Sequence, residues 1–254
     1  MVVEEVISLE RIKEFVEILT GGLLKISEGS LVNWLKEKSR KCRNTIKKMK
    51  IRLKNTEILQ TDLTETKVSN KKGYVRNYSN DKITVYIPSK DKKIHRVKRQ
   101  WILDGYTGYI VQDHDTAIYN FGIKEKHVEC NVHLRRYLKN NAELTKHKWS
   151  QEMNVLLLDI KNQKEEYLER KINRFTEQEL EEYSQRYDEI LKEGRKENRK
   201  SNSKYLGKEE KALLNRLKKY KTNHLIFAYN FEIPFDTCKK QGIDYFKELV
   251  NIEK

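Results

Sequence analysis

Cysteine is scarce in this chain of 254 residues, with only Cys42, Cys130 and Cys238. Three cysteines far apart and odd in number exclude the disulfide framework of a small secreted domain and suit a reducing interior. Long apolar runs are missing as well. No stretch approaches the roughly 20 apolar residues of a membrane span, and the start of the chain, with Glu4 and Glu5, lacks the apolar core of a secretory signal. The expectation is a cytoplasmic protein without a membrane partner. A Gly-rich phosphate loop and a Ser-His-Asp arrangement are also lacking, so nothing points to a nucleotide cofactor or a small-molecule substrate. Apolar residues make up only 37% and charged residues 36%, against about 25% charged in an average globular protein. A modest core with long solvated helices follows.

What is present in excess is positive charge. The formal net charge is +15 and the pI near 9.5, which favours a polyanionic partner. Against that background two acidic stretches stand out, 59–65 (LQTDLTE) and 109–115 (YIVQDHD). In each, a run of β-type residues delivers a carboxylate, Asp62 or Asp113, to an expected strand end. Paired carboxylates in a basic chain suggest metal-dependent chemistry on a nucleic-acid phosphate.

Along the chain, residues 8–53 read as helical. Leu9, Ile12, Phe15 and Val16 share one face, Gly21 and Gly22 break the helix, and Ser27 offers a new N-cap. The following stretch is intensely basic, and Lys47, Lys48 and Arg52 are candidate phosphate contacts because few acids intervene to pair with them. From Glu57 the pattern turns to strands: 58–61 ending at Asp62, 74–78, 83–87 stopping at Pro88, then a basic helical stretch through Trp101-Ile102-Leu103, a fourth strand 109–111 and a fifth at 127–130. The order β-β-β-α-β-α-β is that of a ribonuclease-H-like sheet, in which metal-binding acids lie on the first strand and at the end of the fourth. Residues 133–222 are helical in pattern, with apolar stripes at Met153, Leu156, Leu157, Ile160 and at Tyr183, Tyr187, Ile190, Leu191 that read as core. Residues 195–204 read as a polar loop. The fold expected is α/β (α+β), with a helical segment over 1–55, a ribonuclease-H-like core over 56–150, a helical insertion over 151–222 and a degenerate tail over 223–254.

Several blocks carry a more specific likeness. Gly108-Tyr109-Ile110-Val111-Gln112-Asp113 is followed by Tyr119, and then by Cys130-Asn131-Val132-His133-Leu134-Arg135-Arg136-Tyr137. With 26–33 (ISEGSLVN), 61–66 (TDLTET) and Pro234-Phe235-Asp236, these resemble the insertion-sequence-66 family of DDE transposases from about Ile12 to Asp236. The resemblance implies DNA cleavage and strand transfer at insertion-sequence ends by two Mg²⁺ (or Mn²⁺) ions ~4 Å apart. Asp62 would bridge both ions and Asp113 would hold one. DNA is then the partner, the chain is nucleoid-associated when bound, and copies of the chain can associate on it. The likeness departs where it matters chemically. Leu63 stands where the family more often has Glu, and Thr237-Cys238-Lys239-Lys240-Gln241 replaces the expected Asn-Asn and catalytic Glu. Gln241 has the shape of that Glu but cannot be a charged ligand. The chain reads as a fragment, short at both ends. The activity expected is therefore impaired, the alternative being a non-catalytic DNA-binding remnant that competes with an intact transposase.

Glu65, Asp115, Glu232, Asp236 and Glu248 are the acids that could substitute for the missing one. Cys130 and His133 supply only two of the four ligands of a structural zinc, so a packing or hydrogen-bonding role is expected for His133. Arg135 and Arg136 are candidates for phosphate contacts or for ion pairs with local acids.

Overall fold

Ser27, Gly21 and Gly22 shape the first helices as their spacing predicts, and Ser8 adds a cap that the pattern left unmarked. Ser8 accepts the Arg11 N–H at 3.3 Å and opens α1 (Leu9–Leu19), which ends before Gly21 and Gly22, both at positive φ. Ser27 accepts the Ser30 N–H at 3.0 Å and opens α2 (Glu28–Lys41), followed by α3 (Arg43–Lys54). The computed structural model describes residues 8–68, 70–200 and 204–235. Two compact units divide the described residues, 8–52 and 53–235.

The second unit is built on a five-stranded sheet. In chain order the strands are β1 (Ile58–Val68), β2 (Lys71–Ser79), β3 (Thr84–Ser89), β4 (Tyr109–Gln112) and β5 (His127–Glu129). Their spatial order is β3-β2-β1-β4-β5. The first three form an antiparallel meander, while β4 runs parallel to both β1 and β5. A short helix, α4 (Ile94–Gln100), joins β3 to β4, and two 3₁₀ turns, Ile118–Asn120 and Lys124–Lys126, join β4 to β5.

Beyond the sheet the described residues form α5 (Asn131–Thr145), α6 (Trp149–Glu169), α7 (Glu177–Arg199), α8 (Lys204–Lys219) and α9 (Lys221–Tyr229). Val111 and Val128 of the parallel strands join Leu134, Met153, Leu157 and Phe227 in one buried cluster. The apolar stripes read from the sequence, Met153 to Ile160 and Tyr187 to Leu191, are in it. Expected boundaries at 150 and 222 fall inside α6 and α9 respectively.

Four local expectations need correction. Asp62 is inside β1, not at its end, because 62–68 alternates Thr with other residues and pairs along its length with β2. Asn70, at φ 60°, supplies the left-handed residue of the turn between them. Pro88 lies within β3 opposite Val75. β3 is an edge strand, where a missing N–H is tolerated. Trp101 does not continue α4 but caps it at φ 55°, leaving Ile102 and Leu103 as buried loop residues. Finally, 195–199 is helical, the last turn of α7, since its charges project from a helix already anchored by Ile190 and Leu191.

Candidate active site

The relation between β1 and β4 brings the two predicted acids together. β4 pairs with β1 only from Ile58↔Tyr109 to Gln60↔Val111. β4 ends at Gln112, whereas β1 continues against β2 alone. Asp62 thus emerges where its parallel neighbour stops, and Asp113 is the first residue past that stop. Both line a single cleft of about 810 Å³, with Arg76, Lys92, Lys93 and Asp115 among its walls.

Each carboxylate is held differently. The Asp62 N–H donates to Asn77 Oδ1 at 2.8 Å, and its own Oδ1 accepts the Leu63 N–H at 2.8 Å, which orients the side chain from the strand backbone. Asp113 is less satisfied. Its Oδ1 is buried without a hydrogen-bond partner, and its Oδ2 lies 3.8 Å from His133 Nε2. Burial pushes the Asp113 carboxyl up from its ordinary value. Asp62 and Glu129 push the same way, while His133 and Arg216 oppose them. His133 lies on the first turn of α5 with Nδ1 3.1 Å from Cys130 Sγ. That bond, with the charges of Asp113 and Asp62, holds its imidazole above the ordinary value although burial opposes it. A hydrogen-bonding role for His133 was the expectation, and this is its geometry.

Two hard oxygen donors facing one cleft, one of them buried and without a proton donor, suit a divalent cation. Among the described residues no group of three or more His, Cys, Asp or Glu side chains is placed to hold a metal. Asp115 lines the cleft but is taken: its Oδ2 is 2.5 Å from Nη2 of the buried Arg76, and its Oδ1 accepts the Ala117 N–H. Glu65 points to the far part of β1 and pairs with Lys72 at 2.6 Å. Glu232 is exposed beyond α9. Asp236, Cys238, Gln241 and Glu248 lie outside the described residues.

The predicted DNA contacts are distributed over both units. Lys47, Lys48 and Arg52 are exposed on α3, in the first unit. In the second, Arg136 is exposed on α5, and Arg135 is half-buried with its Nε donating to Asn154 Oδ1 at 2.8 Å.

Sequence reasoning passed over Glu129. It ends β5 beside Gln112 of β4 and is fully buried. Arg216 Nη2 lies 2.6 Å away and His114 Nδ1 2.7 Å away, and the Tyr119 hydroxyl donates to the same carboxylate. Burial alone would push the Glu129 carboxyl up. The His114 hydrogen bond and the charges of His224 and Arg216 outweigh it and bring the group down to about 2. A Glu in the short strand expected at 127–130 was the available signal, since such a charge, once buried, demands a partner. The partner, Arg216, is 87 residues later and carries no mark in the sequence.

No curated protein matches the chain. A family model described as Transposase IS66 family matches residues 3–239, most of the chain. The acid pair at the end of β4 lies within that match, and the chain belongs to the IS66 family of transposases.

Proposed function

We propose that this chain performs metal-dependent cleavage and strand transfer of DNA at insertion-sequence ends, at a low rate, on a ribonuclease-H-like sheet. The observation that carries the reading is the meeting of Asp62 and Asp113 in one cleft, with Asp113 Oδ1 left without a proton donor. The strand order β3-β2-β1-β4-β5, with acids on β1 and just past β4, supports it. Asp62 and Asp113 would hold Mg²⁺ or Mn²⁺, which when bound lowers the pKa of the attacking hydroxyl and neutralises charge on the leaving oxygen.

The protein's own contribution is placement. Asn77 and the Leu63 N–H orient Asp62, His133 steadies one oxygen of Asp113, and Arg76 keeps Asp115 from competing for the cation. The low rate follows from the sequence: by resemblance Gln241 replaces the third acid, and an amide adds no charge to the ligand set.

The test is incubation of the full chain with end-labelled insertion-sequence DNA in Mn²⁺ and in Mg²⁺. Slow strand cleavage that disappears in both Asp62→Asn and Asp113→Asn is expected. Salt-sensitive DNA binding with no metal-dependent cleavage at all would sink the catalytic reading. It would leave a DNA-binding remnant that competes with an intact transposase at the same ends.

A further inference from the structure

The cleft that holds the acid pair is also lined by cations. Lys92 and Lys93 line it together with Asp62 and Asp113, and His95 is beside them. All three are exposed. Among the described residues, neither lysine has a carboxylate within ion-pair distance. The nearby acid, Asp91, is spent otherwise, accepting the Lys93 backbone N–H at 3.0 Å and Arg96 Nε at 3.3 Å. The Ser89 hydroxyl donates to the Asp91 carbonyl at 2.5 Å. The turn that leaves edge strand β3 is therefore closed on itself by Asp91, and it sends two unpaired ammonium groups to the rim.

We propose that Lys92 and Lys93 form a clamp for a DNA phosphodiester flanking the one that lies at Asp62 and Asp113. The physical need is plain. Two carboxylates repel an incoming polyanion, and a bound cation offsets that repulsion only for the phosphate it touches. Phosphates on either side lie within a Debye length of the acids and gain from separate positive charge. Lysine suits this work because its compact charge on a flexible stem accepts many phosphate orientations and reads no sequence. The clamp rests on the proposed function only in supplying which phosphate lies at the acids. Its lysines belong to neither group of basic residues singled out from the sequence.

The test is binding of a fluorescein-labelled DNA duplex by the full chain in Ca²⁺, followed by anisotropy over a series of salt concentrations. Lys92→Ala/Lys93→Ala is compared with Lys192→Ala/Lys211→Ala, which removes the same charge from exposed positions on α7 and α8. The cleft pair should weaken binding about ten-fold or more. It should also make the log–log salt dependence shallower by about 1 to 2, one phosphate contact per lysine. The control pair should change the slope by less than half as much, and Lys92→Arg/Lys93→Arg should restore it. Equal slopes for cleft and control pairs would overturn the clamp. Cleavage unaffected by Asp62→Asn, together with a slope change confined to the cleft pair, would keep the clamp while sinking the catalytic reading.

Discussion

Arg216 of α8 places its guanidinium 2.6 Å from the carboxylate of Glu129, at the end of β5 and beside the strand that ends next to Asp113. The pair ties a helix of the second unit's later half to edge strand β5, next to the strand that delivers Asp113. Glu129 is also bonded by His114, the residue after Asp113, so the same carboxylate steadies the loop that carries the candidate ligand.

Breaking this pair should be costly, because it leaves a buried charge without its partner. Glu129→Gln is expected to destabilise the chain by about 3 kcal/mol, measured by urea unfolding at neutral pH. The acid limb gives a second check. The unfolded chain protonates Glu129 near 4.5, the folded chain only near 2. The contribution is therefore complete above pH 4.5 and is lost as pH falls toward 2. His224, buried and held neutral down to about 3 against an ordinary 6.5, makes stability fall over that window too. Glu129→Gln should make the loss below pH 4.5 shallower and leave the His224 part, which runs from 6.5 down to about 3. An unchanged acid limb would show that the carboxylate is not held as described.

Lys164 predicts a rise of stability with pH on the alkaline side as well. It is buried, donates to the Phe227 and Ile233 carbonyls at 3.2 and 2.7 Å, and burial brings its ammonium down to about 8. Between pH 8 and the ordinary 10.5 the unfolded chain holds a proton that the folded chain has released, so stability should rise with pH there. Lys164→Met should abolish that rise. Thermal melts of both proteins across the window decide it.

Gly194 should resist replacement although it lies inside α7. A Cβ there would approach Leu214 Cδ2 and Trp149 Cδ2, each at 2.8 Å. Trp149 cannot yield easily, being fully buried with its Nε1 donating to Glu210 at 2.7 Å. Alanine gains up to about 1 kcal/mol in helix propensity. Overpacking of about 1–3 kcal/mol outweighs it. Gly194→Ala is therefore expected to lower the melting temperature, and a rise would show that the contact can relax.

Asp113→Asn should separate stability from function. The charged side chain is half-buried, one oxygen has no donor, and Asp62 and Glu129 both repel it. Removing the charge should stabilise the fold by on the order of 1 kcal/mol while abolishing Mn²⁺-dependent cleavage and reducing Mn²⁺ uptake. Loss of stability in this variant would mean that the carboxylate is a structural group and not a poised ligand.

Much of the architecture was legible because it rests on local rules. The Ser27 cap, the paired glycines, the alternation of β-type residues and the 3,4 spacing of apolar stripes all act within a few residues, and the elements they predict are present. Asp62 and Asp113 were legible for the same reason, each being delivered by its own strand. What local pattern could not supply was length and register. β1 outruns β4 because β2 offers it a partner, and that offset alone turns a mid-strand Asp62 into a neighbour of Asp113 in one cleft. Pro88 was misread as a stop because nothing local says that β3 is an edge.

The sequence by itself determined the class of fold, the family and the basic character, and it singled out the two acids proposed for the site, since each follows from residue type and short-range spacing. Only the tertiary structure decided that Asp115 is silenced by Arg76 and that Glu129 is neutralised by a residue 87 positions away. It also decided that Lys92 and Lys93 line one cleft with the acids. The reason is physical: charges are matched across space, where desolvation makes an unpaired group expensive, and proximity in space is set by packing rather than by order along the chain.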